Sequence, residues 1–239
     1  KLERYPYFPD DTTRGTGNIS RMIVDQNDLI WFGTSEGIFI LNHNTSPPTY
    51  TRLEDVVEKS SYNGSTPQII TYMYPGNDNK LWVGTRDGLY RIGLEQRVSG
   101  YPIVRFSHDE NNPSSLNHNQ ILSAYESPSG DLWVGTRSGV NYHHKSMQKF
   151  DHVTANPSDP GSLIHSNVMK MFKDSDENLW VASYGGLNLK VKDSHSFQHY
   201  THDPAAKSTT LCYNYVMIIN EDYRGNLWFG TNGGGVSRL

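Results

Sequence analysis

Five tryptophans, at positions 31, 82, 133, 180 and 228, recur at spacings of 51, 51, 47 and 48 residues. Each sits in one phrase: Ile30-Trp31-Phe32-Gly33-Thr34, Leu81-Trp82-Val83-Gly84-Thr85, Leu132-Trp133-Val134-Gly135-Thr136, Leu179-Trp180-Val181-Ala182-Ser183 and Leu227-Trp228-Phe229-Gly230-Thr231. Six positions after each Trp stands a glycine: Gly37, Gly88, Gly139, Gly186 and Gly234. A period of this length belongs to solenoids and propellers, in which each unit is one supersecondary block that cannot bury its faces alone.

The block is a set of strands. The Trp phrases are short apolar runs rich in β-branched and aromatic residues, bounded by turn formers, as in a strand buried on both faces. A second apolar stretch precedes each (Ile19 to Val24, Ile121 to Tyr125, Val168 to Phe172, Val216 to Ile219). Turn clusters such as Asp25-Gln26-Asn27-Asp28 and Asp174-Ser175-Asp176-Glu177-Asn178 join the two into hairpins. Thr-x-x-Gly then turns into a third strand, and Phe106, Phe150 and Phe197 mark a fourth. Four antiparallel strands per unit, repeated, predict an all-β fold: a β-propeller with five repeat units, filling residues 1–239 as one domain. The Trp side chains are expected in the seams between blades rather than as sugar-stacking platforms.

The ends leave two readings open. Arg4 to Phe8 fits an outer-strand slot, and the last unit, Trp228 to Leu239, has inner strands but no outer one. A composite blade would close a five-bladed ring and remove exposed sheet edges; otherwise the chain is a five-repeat slice of a larger propeller. Lys1 is neither an initiator Met nor the start of an apolar signal core, so the ends read as excised from a longer protein.

Composition narrows the function. With 21 basic and 25 acidic side chains in 239 residues, the net charge is −4, and no basic run offers a footprint for nucleic acid. No stretch of about 18 apolar residues would insert in a bilayer. Cys212 is the one cysteine and forms no internal disulfide.

The phrases Asp-x-x-Gly-x-Leu-Trp-x-Gly-Thr-x-x-Gly-Gly-Leu and Ser-Leu-x-x-Asn, seen in Asp222 to Val236, Ser115 to Gln120 and Asp174 to Leu187, resemble the two-component regulator propeller repeat. That resemblance covers essentially the whole chain. It implies a periplasmic sensor domain of a membrane-spanning regulator, in several cases for oligosaccharides. A histidine kinase or diguanylate cyclase in the same polypeptide is then the downstream partner. The chain has fewer repeats than the family usually carries, Ala182-Ser183 replaces Gly-Thr in one unit, and Pro67 and Gly76 make the second unit irregular.

Ligand residues are sought where the repeat varies. In a four-stranded blade, the lead-in to the inner strand and the second-to-third-strand turn lie at one end, around the central opening. The turns bring Arg86, Arg137, Tyr184 and Asn232 there, and the lead-ins bring His118, His165 and Tyr213. Planar, aromatic and amide groups of this kind suit a small polar ligand, a glycan or a carboxylate, and the two arginines point to an anion. Ordinary solvated turn residues are the plainer reading at any one position.

No metal or cofactor is expected. His118 and His165 hold one slot in neighbouring units, but no third ligand stands at metal-binding spacing. Asp174-x-Asp176-x-Asn178 opens like an EF-hand loop, yet Leu179 stands where its glycine is needed. Walker, dinucleotide and nucleophile-elbow motifs are missing from the sequence. The expectation is a non-catalytic sensor whose ligand bridges loops of several blades, or of two protomers in a homodimer. Its rivals are a protein-interaction scaffold and a propeller lyase of the streptogramin-lyase type, which would need a His general base beside a carboxylate or metal, with His118, His165 and Glu36 as the candidates.

Overall fold

The computed structural model describes residues 18–59, 64–95, 99–147, 149–206 and 209–239. Nineteen strands form five antiparallel sheets, each in simple sequence order. Blade I holds β1 (Arg21–Val24), β2 (Ile30–Thr34), β3 (Gly37–Asn42) and β4 (Thr49–Arg52). Blade II holds β5 (Tyr72–Gly76), β6 (Lys80–Gly84), β7 (Leu89–Gly93) and β8 (Ile103–Phe106). Blade III follows with β9 (Ile121–Glu126), β10 (Leu132–Thr136), β11 (Gly139–His143) and β12 (Asp151–Val153). Blade IV has β13 (Val168–Lys173), β14 (Leu179–Ser183), β15 (Gly186–Lys190) and β16 (Gln198–Tyr200). Blade V comprises β17 (Val216–Glu221), β18 (Leu227–Thr231) and β19 (Gly235–Arg238). The first strands β1, β5, β9, β13 and β17 adjoin in succession, which is the β-propeller arrangement.

The Trp phrase is the seam. Trp31, Trp82 and Trp180 are at most 5% exposed, each in an apolar cluster shared with the following blade. An indole buried this way removes roughly 150 Å² or more from water, about 4 kcal/mol as an upper bound. Its N–H is met as well. Asp25 accepts it from Trp31 at 2.8 Å, Asp174 from Trp180 at 2.7 Å and Asp222 from Trp228 at 2.9 Å. Asp174 is thereby occupied as a turn anchor, since its other oxygen takes the Asn178 N–H.

The glycine two residues after each Trp allows close approach between blades. A Cβ on Gly33 would stand 2.6 Å from Ile70 Cγ2, and one on Gly135 2.7 Å from Val168 Cγ1. Only hydrogen fits. Blade IV tolerates Ala182 at that slot, fully buried, and Ser183 keeps the bond that threonine makes, donating to the Gly186 carbonyl at 3.0 Å.

Three expectations need adjustment. Phe150 and Phe197 do not lie in the fourth strands; they precede β12 and β16, buried, while Phe106 ends β8. In blade V the second-to-third turn has one extra residue, so Thr231 pairs with Gly235 where Thr34 pairs with Gly37. The left-handed residues there are Gly233 and Gly235 (φ 100° and 90°), not Gly234. Among the described residues blade V has three strands, and its outward face is open. Trp228 is 39% exposed, and a Cβ at Gly230 would meet only Ile218 of its own sheet. The closing segment Arg4 to Phe8 lies outside the described residues.

Candidate functional site

The repeated hydrogen bonds define one end of the ring. The Ile70 N–H donates to the Thr34 carbonyl at 3.0 Å and the Ile121 N–H to that of Thr85 at 2.9 Å, tying each second-to-third turn to the next lead-in. In blades IV and V the tie is internal: Tyr184 N–H to Asn167 O at 3.3 Å, and Asn232 N–H to Tyr215 O at 2.9 Å. Turns and lead-ins therefore share one rim.

The residues of the repeat that sit there are spent on structure. Thr34, Thr85 and Thr136 are fully buried and each turns its hydroxyl onto the glycine carbonyl three residues on. The Ser-Leu-x-x-Asn stretches clip their own loops: Ser115 accepts the Asp109 N–H, Leu116 is fully buried, and Asn119 accepts the His108 N–H at 2.7 Å. Asn141 and Asn188, both 0% exposed, hold the lead-ins of their own blades by accepting the N–H groups of Asn117 and Ile164 at 2.7 Å. What remains free is the variable set.

Blades III to V bring part of that set together. The His165 ring stacks on Tyr184 (centroids 5.7 Å apart, 27° between planes), and Tyr184 meets Tyr215 at 4.2 Å. His118 and His165 each accept a backbone N–H at Nδ1, from Gln120 and Asn167, both at 2.9 Å. Their neutral rings thus carry hydrogen on Nε2, as donors facing away from the backbone. Burial, the Arg137 guanidinium and His108 push His118 below the usual imidazole range. The Tyr215 hydroxyl is raised by its hydrogen bond to Tyr184 and by burial, and Arg137 pulls it the other way. Arg137 therefore bears on groups of blades III and V. Beneath the cluster, Asn167 Oδ1 is buried with no hydrogen-bond donor among the described residues. A buried acceptor left so costs free energy that a ligand hydroxyl or a water would recover.

Of the seven expected residues, His165 and Tyr184 are in contact, and Arg137 lies within electrostatic reach of His118 and of Tyr215. Arg86 is exposed at its turn tip in blade II, and no interaction among the described residues links it to the cluster. Asn232 is exposed, and Tyr213 backs onto Gly234 of its own blade. Tyr215 is the residue the sequence reading missed. It stands thirteen positions before its Trp, the slot Asn167 holds in blade IV, and its aromatic ring there was the available signal.

The model of the two component regulator propeller family matches residues 115–138, 162–185 and 210–233. The chain carries two component regulator propeller repeats. Each matched stretch runs from a loop clip through the Trp strand to the rim turn, in blades III, IV and V. No curated protein sequence matches the chain. Among solved structures, it resembles an extracellular domain described as that of a hybrid two component system of B. thetaiotaomicron. That pair shares 20% identity over 99% of this chain and 34% of the other, with a TM-score of 0.52. PorZ of Porphyromonas gingivalis, a surface component of the type-IX secretion system, aligns with a TM-score of 0.73 at 16% identity, over 100% and 34% of the two chains. Virginiamycin B lyase from Staphylococcus aureus aligns with a TM-score of 0.58 at 14% identity, over 95% and 71%. These likenesses establish the propeller fold, and the chain spans about a third (34%) of the length of the first two proteins.

Proposed function

We propose that this regulator propeller is the ligand-binding module of an extracytoplasmic sensor, non-catalytic in itself, taking an oligosaccharide at the rim of blades III to V. The observation that carries the reading is the His165–Tyr184–Tyr215 ring cluster set over the unmet acceptor Asn167 Oδ1. Stacked rings offer flat apolar faces for the C–H face of a sugar. The Nε2–H groups of His118 and His165 and the free Asn167 oxygen match its hydroxyls, and Arg137 adds a cation for an acidic substituent.

Support for signalling comes from the family repeats and from the B. thetaiotaomicron extracellular domain of the same fold. In that setting the module is periplasmic and joined to an output domain in the same polypeptide. Binding across three blades, or across two protomers, shifts the equilibrium between arrangements of those domains only by the ligand's differential affinity for them. A lyase would need a carboxylate or a metal acting on its His general base. The fixed charge that bears on His118 is cationic, that of Arg137.

A thermal-shift screen against neutral and acidic oligosaccharides tests the proposal. A true ligand at 100 times its dissociation constant adds about 2.7 kcal/mol of stability, and chromatography recovers it unchanged after prolonged incubation. Absence of any stabilising saccharide would overturn the choice of ligand class, and its breakdown would overturn the non-catalytic reading.

A further inference from the structure

Blade II differs from blades I and IV at three positions, and all three meet on its seam with blade III. The first is Gly76, in the slot where Asp25, Asp174 and Asp222 accept the indole N–H of their own blades. Glu126 of blade III replaces that aspartate as acceptor. It is 3% exposed and accepts the Trp82 N–H at 2.9 Å and the Asn77 N–H at 3.0 Å. A Cβ on Gly76 would stand 2.5 Å from Glu126 Oε2, so the aspartate of the other blades has no room here. The second departure is Lys80, whose ammonium pairs with Glu126 at 2.6 Å and lies 5.6 Å from the Trp82 ring centroid.

The third is Arg91. It stands opposite Trp82 in the β6–β7 ladder, the place that Ile40 and Leu189 fill as core residues in blades I and IV and that Arg238 holds on the open face of blade V. Arg91 is exposed instead, its guanidinium 5.9 Å from the Phe106 ring centroid, and among the described residues it meets no carboxylate. Around it opens a cleft of about 640 Å³, the size of a small-molecule site. One wall is apolar, from Val104, Phe106, Met147 and Phe150. The carboxylates in the lining are already engaged, Glu126 with Lys80 and Asp78 with Lys145 at 3.5 Å. That leaves Arg91 as the unneutralised charge. The cleft is bordered by the first-to-second-strand turns at Asp78 and Gly130, at the opposite ends of β6 and β10 from the rim.

We propose that this cleft is a second binding site, separate from the rim, for a small organic acid: a carboxylate held by Arg91, with Lys80 beside it, and a flat apolar body lying on Phe106 and Val104. Arg91 keeps its charge at a slot where an apolar residue would bury surface as Ile40 and Leu189 do, and no carboxylate among the described residues uses that charge. Arginine rather than lysine suits the planar, two-point recognition of a carboxylate.

Benzoate is the probe, with benzamide as its uncharged counterpart and inorganic phosphate as an anion lacking the apolar body. Indole N–H resonances of the 239-residue chain report the binding. Benzoate should move the Trp82 signal and leave those of Trp180 and Trp228 in place, with benzamide and phosphate each at least about tenfold weaker. Arg91→Gln should weaken benzoate by about tenfold or more. Val104→Glu should do the same from the facing strand, since Val104 pairs with Arg91 across β7–β8 and a glutamate there would satisfy the guanidinium internally. Both positions are exposed, and an unchanged set of the other four indole signals shows that each variant is folded. A Trp82 resonance indifferent to benzoate, or Arg91→Gln binding as tightly as the parent, would overturn the site. Phosphate binding as well as benzoate would overturn the organic-acid assignment.

Discussion

The side chain of Ile121, at the head of the third blade's inner strand, lies against Gly84 of the second so closely that a Cβ there would stand 2.8 Å from its Cγ2. Ile70 against Gly33 and Val168 against Gly135 repeat the fit. Each of these three seams is thus a β-branched residue seated on a bare stretch of the neighbouring blade's Trp strand. Gly84→Val should overpack the seam and cost about 1–3 kcal/mol, and Ile121→Ala should cost about 2–5 kcal/mol by leaving a cavity. Denaturant unfolding of the single and double variants checks this: the two costs should fail to add by about 0.5 kcal/mol or more.

Asp222 gives a pH-dependent prediction. The Trp228 indole, then Asn226, hold its carboxyl down at about 2, below the ordinary aspartate value of about 3.9. A group depressed in the folded state contributes stability above its unfolded pKa and loses it as pH falls through the folded one. The contribution of Asp222 should therefore be full above about pH 4 and fade toward pH 2. Carboxyl NMR titration should place Asp222 near 2, and Trp228→Phe should move it up toward the ordinary value.

The indoles should differ in reach. Trp228 is 39% exposed on the open face of blade V, against 0% for Trp31 and 2% for Trp180. Iodide should quench a discrete fraction of the fluorescence, and Trp228→Phe should remove most of it. Uniform protection of all five indoles would show that this face is covered in solution.

Asn188 links the seam to the rim. It is fully buried, accepts the Ile164 N–H at 2.7 Å and donates to the Val181 carbonyl at 2.9 Å. Asn188→Leu would strand both backbone groups, at about 1–3 kcal/mol each, and loosen the lead-in that carries His165. Thermal unfolding should show the loss of stability, and saccharide affinity should fall with it although Asn188 lies behind the rim.

The propeller was legible because its determinants are local and repeated: the Trp phrase, the hairpin clusters and the spacing each specify a strand or a turn within a few residues. The rim was legible only in part. Turn tips can be assigned to one end of a ring from blade topology, which is why Tyr184, Arg137, His118 and His165 were in the expected set. Whether two tips touch depends on lead-in conformation. Tyr215 takes the place beside Tyr184 while Tyr213, two residues earlier, turns to Gly234. The extra turn residue of blade V is not visible in the sequence, because consecutive glycines at 233, 234 and 235 hide a one-residue shift. The blade II–III cleft needed side chains: Gly76 read as an irregularity, and only its distance from Glu126 shows the exchange of one indole acceptor for another.

The proposed rim site is tested most directly by calorimetric titration of the best saccharide from the screen into the parent chain and into Tyr184→Ala/Tyr215→Ala. Loss of the ring cluster should weaken binding by about tenfold or more, with the unfolding midpoint little changed because Tyr184 is exposed at its turn tip. Affinity equal to that of the parent would contradict the assignment of ligand recognition to blades III to V.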